Sequence, residues 1–361
     1  MPEPFKERLN YNSLKEFALA VRSVLDSFPV DKFLDSILDE TWPELELKER
    51  GRRVSLVLGR YLPADFPTAI EIIVQLLDQY NGFCKYCFPD FVEVFGQDEE
   101  NWNLSIQSLE RFTEYASSEL AVRPFIIKDE KRMMAQMYAW SKSDCEHVRR
   151  LSSEGCRPAL PWGIALNSFK KDPTPILPIL EQLKTDQSLD VRRSVANNLN
   201  DISKTHPALV ISLAHEWYGQ NKDTDWIIKH ACRTLLKKGE REILALFGYE
   251  DITSVAVTDL SLSATSIRIG ENLTFSFTLC TSQETKVRLE YAVSYIKANG
   301  KSSDKVFQIS ETTLKKGSRK TYHKKHSFAD VTVRKHYSGK HSITLIVNGE
   351  KIGKLDFELA V

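Results

Sequence analysis

Apolar residues recur at helical spacing from residue 13 to about 248. Leu14, Phe17, Ala18, Val21, Leu25 and Phe28 fall at three- and four-residue steps, as do Phe33, Ile37 and Leu38, and then Leu45, Leu47, Val54, Leu56, Val57 and Leu58. Prolines at 29, 43, 63, 67, 89, 124, 158, 161, 173, 175, 178 and 207 punctuate this pattern, which predicts helices of roughly ten to seventeen residues with short connections, the rhythm of an α-solenoid. From about residue 251 the period changes to two. Ser261-Leu262-Ser263, Leu273–Leu279, Val287–Val293, Lys305–Ile309 and Ser342–Val347 alternate, with Asn299-Gly300 and Asn348-Gly349 as hairpin turns. About seven short strands predict an all-β, immunoglobulin-like sandwich without the disulfide of antibody domains. The expected organisation is mainly α, a helical-repeat solenoid over 1–253 followed by a β-sandwich over 254–361.

The helical part repeats itself. Superposing Val148 on Val191 brings Arg149-Arg150 over Arg192-Arg193, Glu154 over Asn197 and Arg157 over Asn200, an offset of 43 residues that suits HEAT-like units. A third copy, Trp226–Lys238, lies 36 residues further on and places Lys229 and Arg233 where Arg193 and Asn197 lie. A weaker fourth copy is Glu119–Phe125. In a solenoid, equivalent helices line one concave surface, so Arg150, Arg157, Arg193, Lys229 and Arg233 are expected to form one basic track. Such a track suits a phosphate backbone, whose binding releases counterions; a scaffold holding a protein partner on the same face is the open alternative.

Composition narrows the picture. The chain has 361 residues, 42% hydrophobic and 27% charged, enough for two or three cores. No apolar run of membrane-spanning length occurs and the N-terminus is too polar for a secretion signal, so an intracellular protein with no membrane partner is expected. Six cysteines are scattered. Cys84 and Cys87 have metal-like spacing, but no second ligand pair accompanies them, so packed thiols and no metal are expected. The formal net charge is zero, yet residues 256–361 carry 17 Lys and Arg against 10 Asp and Glu. The C-terminal module is basic and the rest acidic.

Chemistry concentrates in Glu146–Trp162. On a helix, Val148, Leu151 and Gly155 share one face, with Arg150, Glu154 and Arg157 opposite. Pro158 should stop this helix and Pro161 begin the next, with Trp162 in its first turn. Two arginines, a carboxylate and an indole near one corner could hold an anionic polymer while facing something cationic. Taken alone, the stretch could equally be solvated charge beside a packed tryptophan.

The motifs Val148-Arg149-Arg150-Leu151-Ser152-Ser153-Glu154-Gly155-Cys156-Arg157-Pro158, Leu160-Pro161-Trp162, Val191–Ile202 and Trp226–Ala231, with Leu45–Arg50 upstream, resemble the DNA alkylation repair glycosylases of the AlkC and AlkD group, the AlkC branch in particular. The resemblance covers roughly residues 5 to 250. It implies a monofunctional enzyme, needing no cofactor, that hydrolyses the N-glycosidic bond of cationic alkylated bases, 3-methyladenine and in the AlkC branch 3-methylcytosine. The group leaves the base largely in a bent duplex, whereas most base-acting enzymes flip it out. The implied protein is a bacterial, cytoplasmic, nucleoid-associated monomer that binds double-stranded DNA containing alkylated bases.

A base alkylated at a ring nitrogen leaves without protonation, so the enzyme needs a carboxylate to stabilise positive charge on the sugar and position a water, and an aromatic face against the sugar. Glu154 and Trp162 are the first candidates. Matching to the family pattern adds Glu119 and Asp201. Glu119 also reads as an ordinary helix N-terminal carboxylate after Ser117 or Ser118, and Asp201 as a group that orients Arg193 or Arg157. Trp140 and Trp226 have helical contexts that suit packing as well as DNA contact, and the core is expected for both. In the basic module, Lys315, Lys316, Arg319 and Lys320, followed by Lys324, Lys325, Arg334 and Lys335 with interleaved Tyr322, His323, His326 and His336, read either as a loop reaching DNA, with the minor groove as one place for it, or as a solvated loop.

Overall fold

The computed structural model describes residues 4–249, 252–330 and 334–361, so the first three residues of the polar N-terminus lie outside it. Contacts gather into two units, Met1–Thr205 with Gly219–Ala231, and His206–Tyr218 with Cys232–Val361.

The first unit is helical. Asn10 caps the helix Tyr11–Val24 by accepting from the amides of Asn12 and Ser13, and Leu14, Phe17, Ala18 and Val21 are buried, as the spacing predicts. Phe17 packs against Phe33, Tyr80 and Phe88, and Phe88 reaches Phe112, so aromatic rings tie successive helices together. The α-helices run from five to fifteen residues, shorter than expected. One reason is that Pro67 and Pro89 stand in first turns and start helices there. Helix Leu189–Ile202 packs against both Glu146–Glu154 and Lys222–Ala231, the latter holding the first part of the third copy, Trp226–Ala231, while Arg233–Lys238 is a separate helix. Their stacking is what a solenoid requires.

Two details expected from the sequence change. Pro161 begins no helix: residues 158–163 form turns, and the next helix is Asn167–Lys171. Trp140 is buried as expected, but Trp226 is 38% exposed and stacks on His230 one turn along, with ring centroids 5.2 Å apart. The CxxC cysteines are both buried, and burial pushes the Cys84 thiol up to about 11. No described helix is long and apolar enough to cross a membrane.

The second unit carries eight strands: β1 (Val255–Leu262), β2 (Ser266–Arg268), β3 (Asn272–Thr281), β4 (Thr285–Ile296), β5 (Ser302–Leu314), β6 (Arg319–Ser327), β7 (Gly339–Val347) and β8 (Glu350–Ala360). Among the described residues they form a three-stranded sheet β1-β3-β6 and a five-stranded sheet β2-β8-β7-β4-β5, in which β2 pairs parallel to β8. Alternate residues such as Phe275, Phe277, Val287, Leu289, Tyr291, Ile343 and Leu345 fill the space between them. Asn348 and Gly349, at φ 46° and 81°, make the expected two-residue hairpin between β7 and β8. The six cysteines are free, so packing alone closes this sandwich.

The basic stretch is the clearest departure. Lys315 and Lys316 lie at a turn, but Arg319–Ser327 is β6, an edge strand paired with β3 along its length. It reads as a loop because only Tyr322 and His326 mark its inward face. Its charges also suit an edge, where lysines discourage pairing with foreign strands.

His326 is buried between two tyrosines, with Nδ1 2.8 Å from the Tyr291 hydroxyl and Nε2 2.7 Å from the Tyr295 hydroxyl. A neutral imidazole meets both, one nitrogen donating and the other accepting. Burial, aided by Arg334, His336, Lys324 and Lys305, lowers its pKa from 6.5 to about 4. The folded state therefore binds fewer protons than the unfolded state below pH 6.5, and stability falls as pH drops from 6.5 to about 4, by roughly 3 kcal/mol in all. Urea unfolding of the full chain at pH 7, 5.5 and 4.5, with hydrogen exchange reporting on β3, β4 and β6, should show this loss, and His326→Gln should flatten it.

Candidate active site

The helix Glu146–Glu154 ends before Gly155 and Arg157, earlier than the stop expected at Pro158, and Gly155 explains the close approach beyond it. A Cβ there would stand 2.7 Å from Val122 Cγ2, so only glycine lets this corner pack on the helix Val122–Lys128. Glu154 and Arg157 do not form a solvated stripe, because both are buried, as is Asp201. Arg157 Nη1 donates to Glu154 Oε1 at 2.6 Å and Nε to Asp201 Oδ2 at 2.9 Å, bridging two repeats. Burial opposes the charge on Arg157, but Glu154 and Asp201 more than offset it and hold its pKa above the ordinary value. Lys204 Nζ donates to the other Asp201 oxygen at 2.8 Å. Asp201 thus pairs with Arg157, one of the two arginines expected beside it.

A second pair lies one turn earlier. Arg150 Nη2 is 2.7 Å from Glu119 Oε2, and Ser117 Oγ donates to the same carboxylate at 2.7 Å while accepting from Arg150 Nη1 at 3.1 Å. Arg150 and Glu154 are separated by four residues and so share a helix face. The structure therefore groups Glu119, Arg150, Glu154, Arg157 and Asp201.

Trp162 has an unusual backbone. Its φ of +64° is in the left-handed region, which costs a non-glycine residue on the order of 1 kcal/mol or more. Its indole is 75% exposed, so side-chain burial does little to offset that cost. Strain of this kind persists only where surrounding bonds over-determine the conformation. Lys48 Nζ donates to the Trp162 carbonyl at 2.9 Å, and the Gly163 amide donates to the Leu160 carbonyl at 3.1 Å.

Arg123, absent from the sequence-based candidates, holds the same corner. It is fully buried, its Nε donates to the Ile164 carbonyl at 2.6 Å, and its Nη1 donates to those of Gly155 at 2.8 Å and Arg157 at 2.9 Å. Burial brings its pKa down to about 10, so it remains charged at neutral pH. A single arginine in a mostly apolar helix gives no sequence signal of this role.

The paired arginines of the repeat divide their work. Arg149 Nη1 donates to the carbonyls of Ser143 and Asp144, and Arg192 Nη1 to those of Asp186 and Gln187, each strapping the turn before its helix. Arg150 and Arg193 lie on the polar face, Arg193 exposed beside Asp190 at 2.9 Å. Lys229 is exposed near the end of Lys222–Ala231, whereas half-buried Arg233 begins a separate helix, Arg233–Lys238, in the second unit. Lys315, Lys316, Arg319 and Lys320 are exposed on the second unit, Arg319 3.4 Å from Asp259.

Residues 63–235 match a family profile described as DNA alkylation repair enzyme. The fold is similar to that of the Pseudomonas fluorescens alkylpurine DNA glycosylase AlkC bound to DNA containing an abasic site analog, with a TM-score of 0.94, 37% identity, and coverage of 99% of this chain and 100% of that one. The chain belongs to the AlkC-type DNA alkylation repair enzymes. The chain is also similar to the Bacillus subtilis (strain 168) protein YhaZ, 49% identical over 98% of this chain and 99% of that one. Residues 256–361 match the profile of the YhaZ C-terminal Ig-like domain, in agreement with the β-sandwich.

Replacing Arg157 with methionine would leave Glu154 and Asp201 buried without their shared cation, a loss expected to cost about 3–5 kcal/mol in urea unfolding. Arg157→Lys should recover only part of it, because one ammonium cannot present the same fork to two carboxylates.

Proposed function

We propose that this chain is a monofunctional DNA glycosylase that hydrolyses the N-glycosidic bond of cationic alkylated bases in duplex DNA, 3-methyladenine and 3-methylcytosine among them. The observation that carries this reading is the grouping of Glu119, Glu154 and Asp201 on two arginines, on a chain so similar to the DNA-bound AlkC. Carboxylates held rigidly in a partly desolvated site stabilise a cationic sugar far better than carboxylates in water. Trp162 supplies a rigid π-face to the same deoxyribose.

In this mechanism the glycosidic bond breaks toward the already cationic base, which departs neutral, and positive charge passes to the sugar. One carboxylate faces that charge and orients the water that attacks the anomeric carbon, while the water's proton passes to the carboxylate. We assign the catalytic roles to Glu119, Glu154, Asp201 and Trp162. Arg157, buried between two carboxylates, orients them. Arg150, Arg193, Lys229 and Arg233 serve the phosphates, and the base stays largely stacked in a bent duplex. We assign residues 1–253 to the glycosylase domain and 254–361 to a basic module that grips DNA through Lys315, Lys316, Arg319 and Lys320. The reading extends to a cytoplasmic, nucleoid-associated monomer.

Single-turnover release of methylated bases from alkylated duplex DNA tests the assignment. Glu154→Gln should slow release by about 100-fold or more while the protein still binds DNA, a loss typical of removing one preorganised electrostatic group. If neither wild type nor variant releases base while both bind DNA, a non-catalytic repeat protein is the better description.

Exchanging Lys315, Lys316, Arg319 and Lys320 for glutamine should weaken DNA binding and reduce the slope of log affinity against log salt by about one for each phosphate that is no longer neutralised. An unchanged slope would remove the β5–β6 turn and the start of β6 from the DNA-binding surface.

A further inference from the structure

Lys48 stands on the helix Leu47–Tyr61, 114 residues before the carbonyl it bonds. That carbonyl belongs to the strained, exposed Trp162. The other side of Lys48 faces a narrow cleft lined with it by Gly51, Tyr86, Asp90, Glu93 and Ser117. Asp90 and Glu93 are joined there by Arg52, at 3.0 Å from Asp90 and closer still to Glu93. Burial raises the pKa of both carboxylates, and Arg52 and Lys48 pull it back. Two carboxylates thus share Arg52 and draw on Lys48 for the remaining positive charge. Ser117, on the same cleft wall, is the residue that bonds Glu119 and Arg150.

We propose that Lys48 is a positioning residue: its ammonium, drawn in by Asp90 and Glu93, latches the Trp162 carbonyl and fixes the left-handed turn that presents the indole. A backbone donor could not do this, because the helix amides of Leu47–Tyr61 are turned along its axis, whereas a lysine stem spans the gap, its ammonium bonding the carbonyl while its charge acts on Asp90 and Glu93 in the same cleft. The role rests on the reading of Trp162 as the aromatic group of the site. It goes beyond that reading by assigning the group that sets its geometry. Without the latch, the residue gains access to ordinary backbone conformations, and the ring moves off its position over the sugar.

The test uses the full chain with 5-fluorotryptophan, the Trp162 resonance being identified by its loss in Trp162→Phe. Wild type should give one narrow Trp162 signal, Lys48→Met a broadened or doubled one, and Lys48→Arg a single one again. In single-turnover base release, Lys48→Met should lower the rate about 30-fold with DNA affinity nearly unchanged, since small displacements of a positioned group cost this much. In a Trp162→Ala background the same substitution should cost less than about two-fold, because Lys48 acts through Trp162. An unperturbed fluorine signal in Lys48→Met overturns the latch, and an undiminished rate loss in the Trp162→Ala background overturns its action through the tryptophan. If Trp162→Ala itself releases base at the wild-type rate, the assignment of Trp162 to the site fails, while the fluorine signal still decides whether Lys48 holds it.

Discussion

Arg123 is fully buried, and its guanidinium is engaged by the carbonyls of Gly155, Arg157 and Ile164. Those carbonyls belong to a segment that has left one helix and not yet joined the next, so no backbone ladder satisfies them. The Nε and Nη1 groups of a buried cation and a run of carbonyls that must be bonded satisfy each other, while Nη2 stays buried without a partner. The consequence is a rigid corner between residues 155 and 164. Glu154 and Arg157 stand at its start and Trp162 near its end, and each inherits its position from this arrangement.

The repeat explains why the corner can carry charge at all. Arg149 and Arg192 perform the same local task at the start of their helices, and Leu189–Ile202 stacks directly on Glu146–Glu154. Stacking brings Asp201 to Arg157 across the interface. Removing Arg157 would leave the buried Glu154 and Asp201 without their shared cation, so the bridge is held together by the penalty for losing its centre more than by the gain from forming it. Preorganisation for chemistry and resistance to rearrangement are here the same property. The β-sandwich solves a different problem with equally few polar groups: His326, placed between two tyrosine hydroxyls, satisfies both as a neutral ring, while the lysine-rich β6 guards the sheet edge.

Periodicity alone was enough to read the helical and sandwich halves, the stacking of three repeats and the β7–β8 hairpin, because apolar spacing and the Asn-Gly turn are local properties with few alternative meanings. The motifs in order were enough for the family. Where local reasoning misled, a distant partner was responsible. Pro161 is a good helix starter, but the chain turns there instead, with the Trp162 and Ile164 carbonyls taken by Lys48 and Arg123 from other helices. Lys315–Lys325 lacks an apolar rhythm, yet β3 supplies the ladder that makes most of it a strand.

What the sequence determined by itself is thus the kind of elements, their repetition and the identity of the charged residues at each equivalent position. Only the tertiary structure decided which of those charges are solvated and which are buried in pairs. Arg150 and Arg157 look alike on a helical wheel, but one shares a half-exposed pair with Glu119 and the other lies between two buried carboxylates. The reason is physical: periodicity reports which face of a helix is apolar, whereas the state of a charge depends on what is packed opposite it, and here Glu119 and Asp201 reach Arg150 and Arg157 from other segments of the chain.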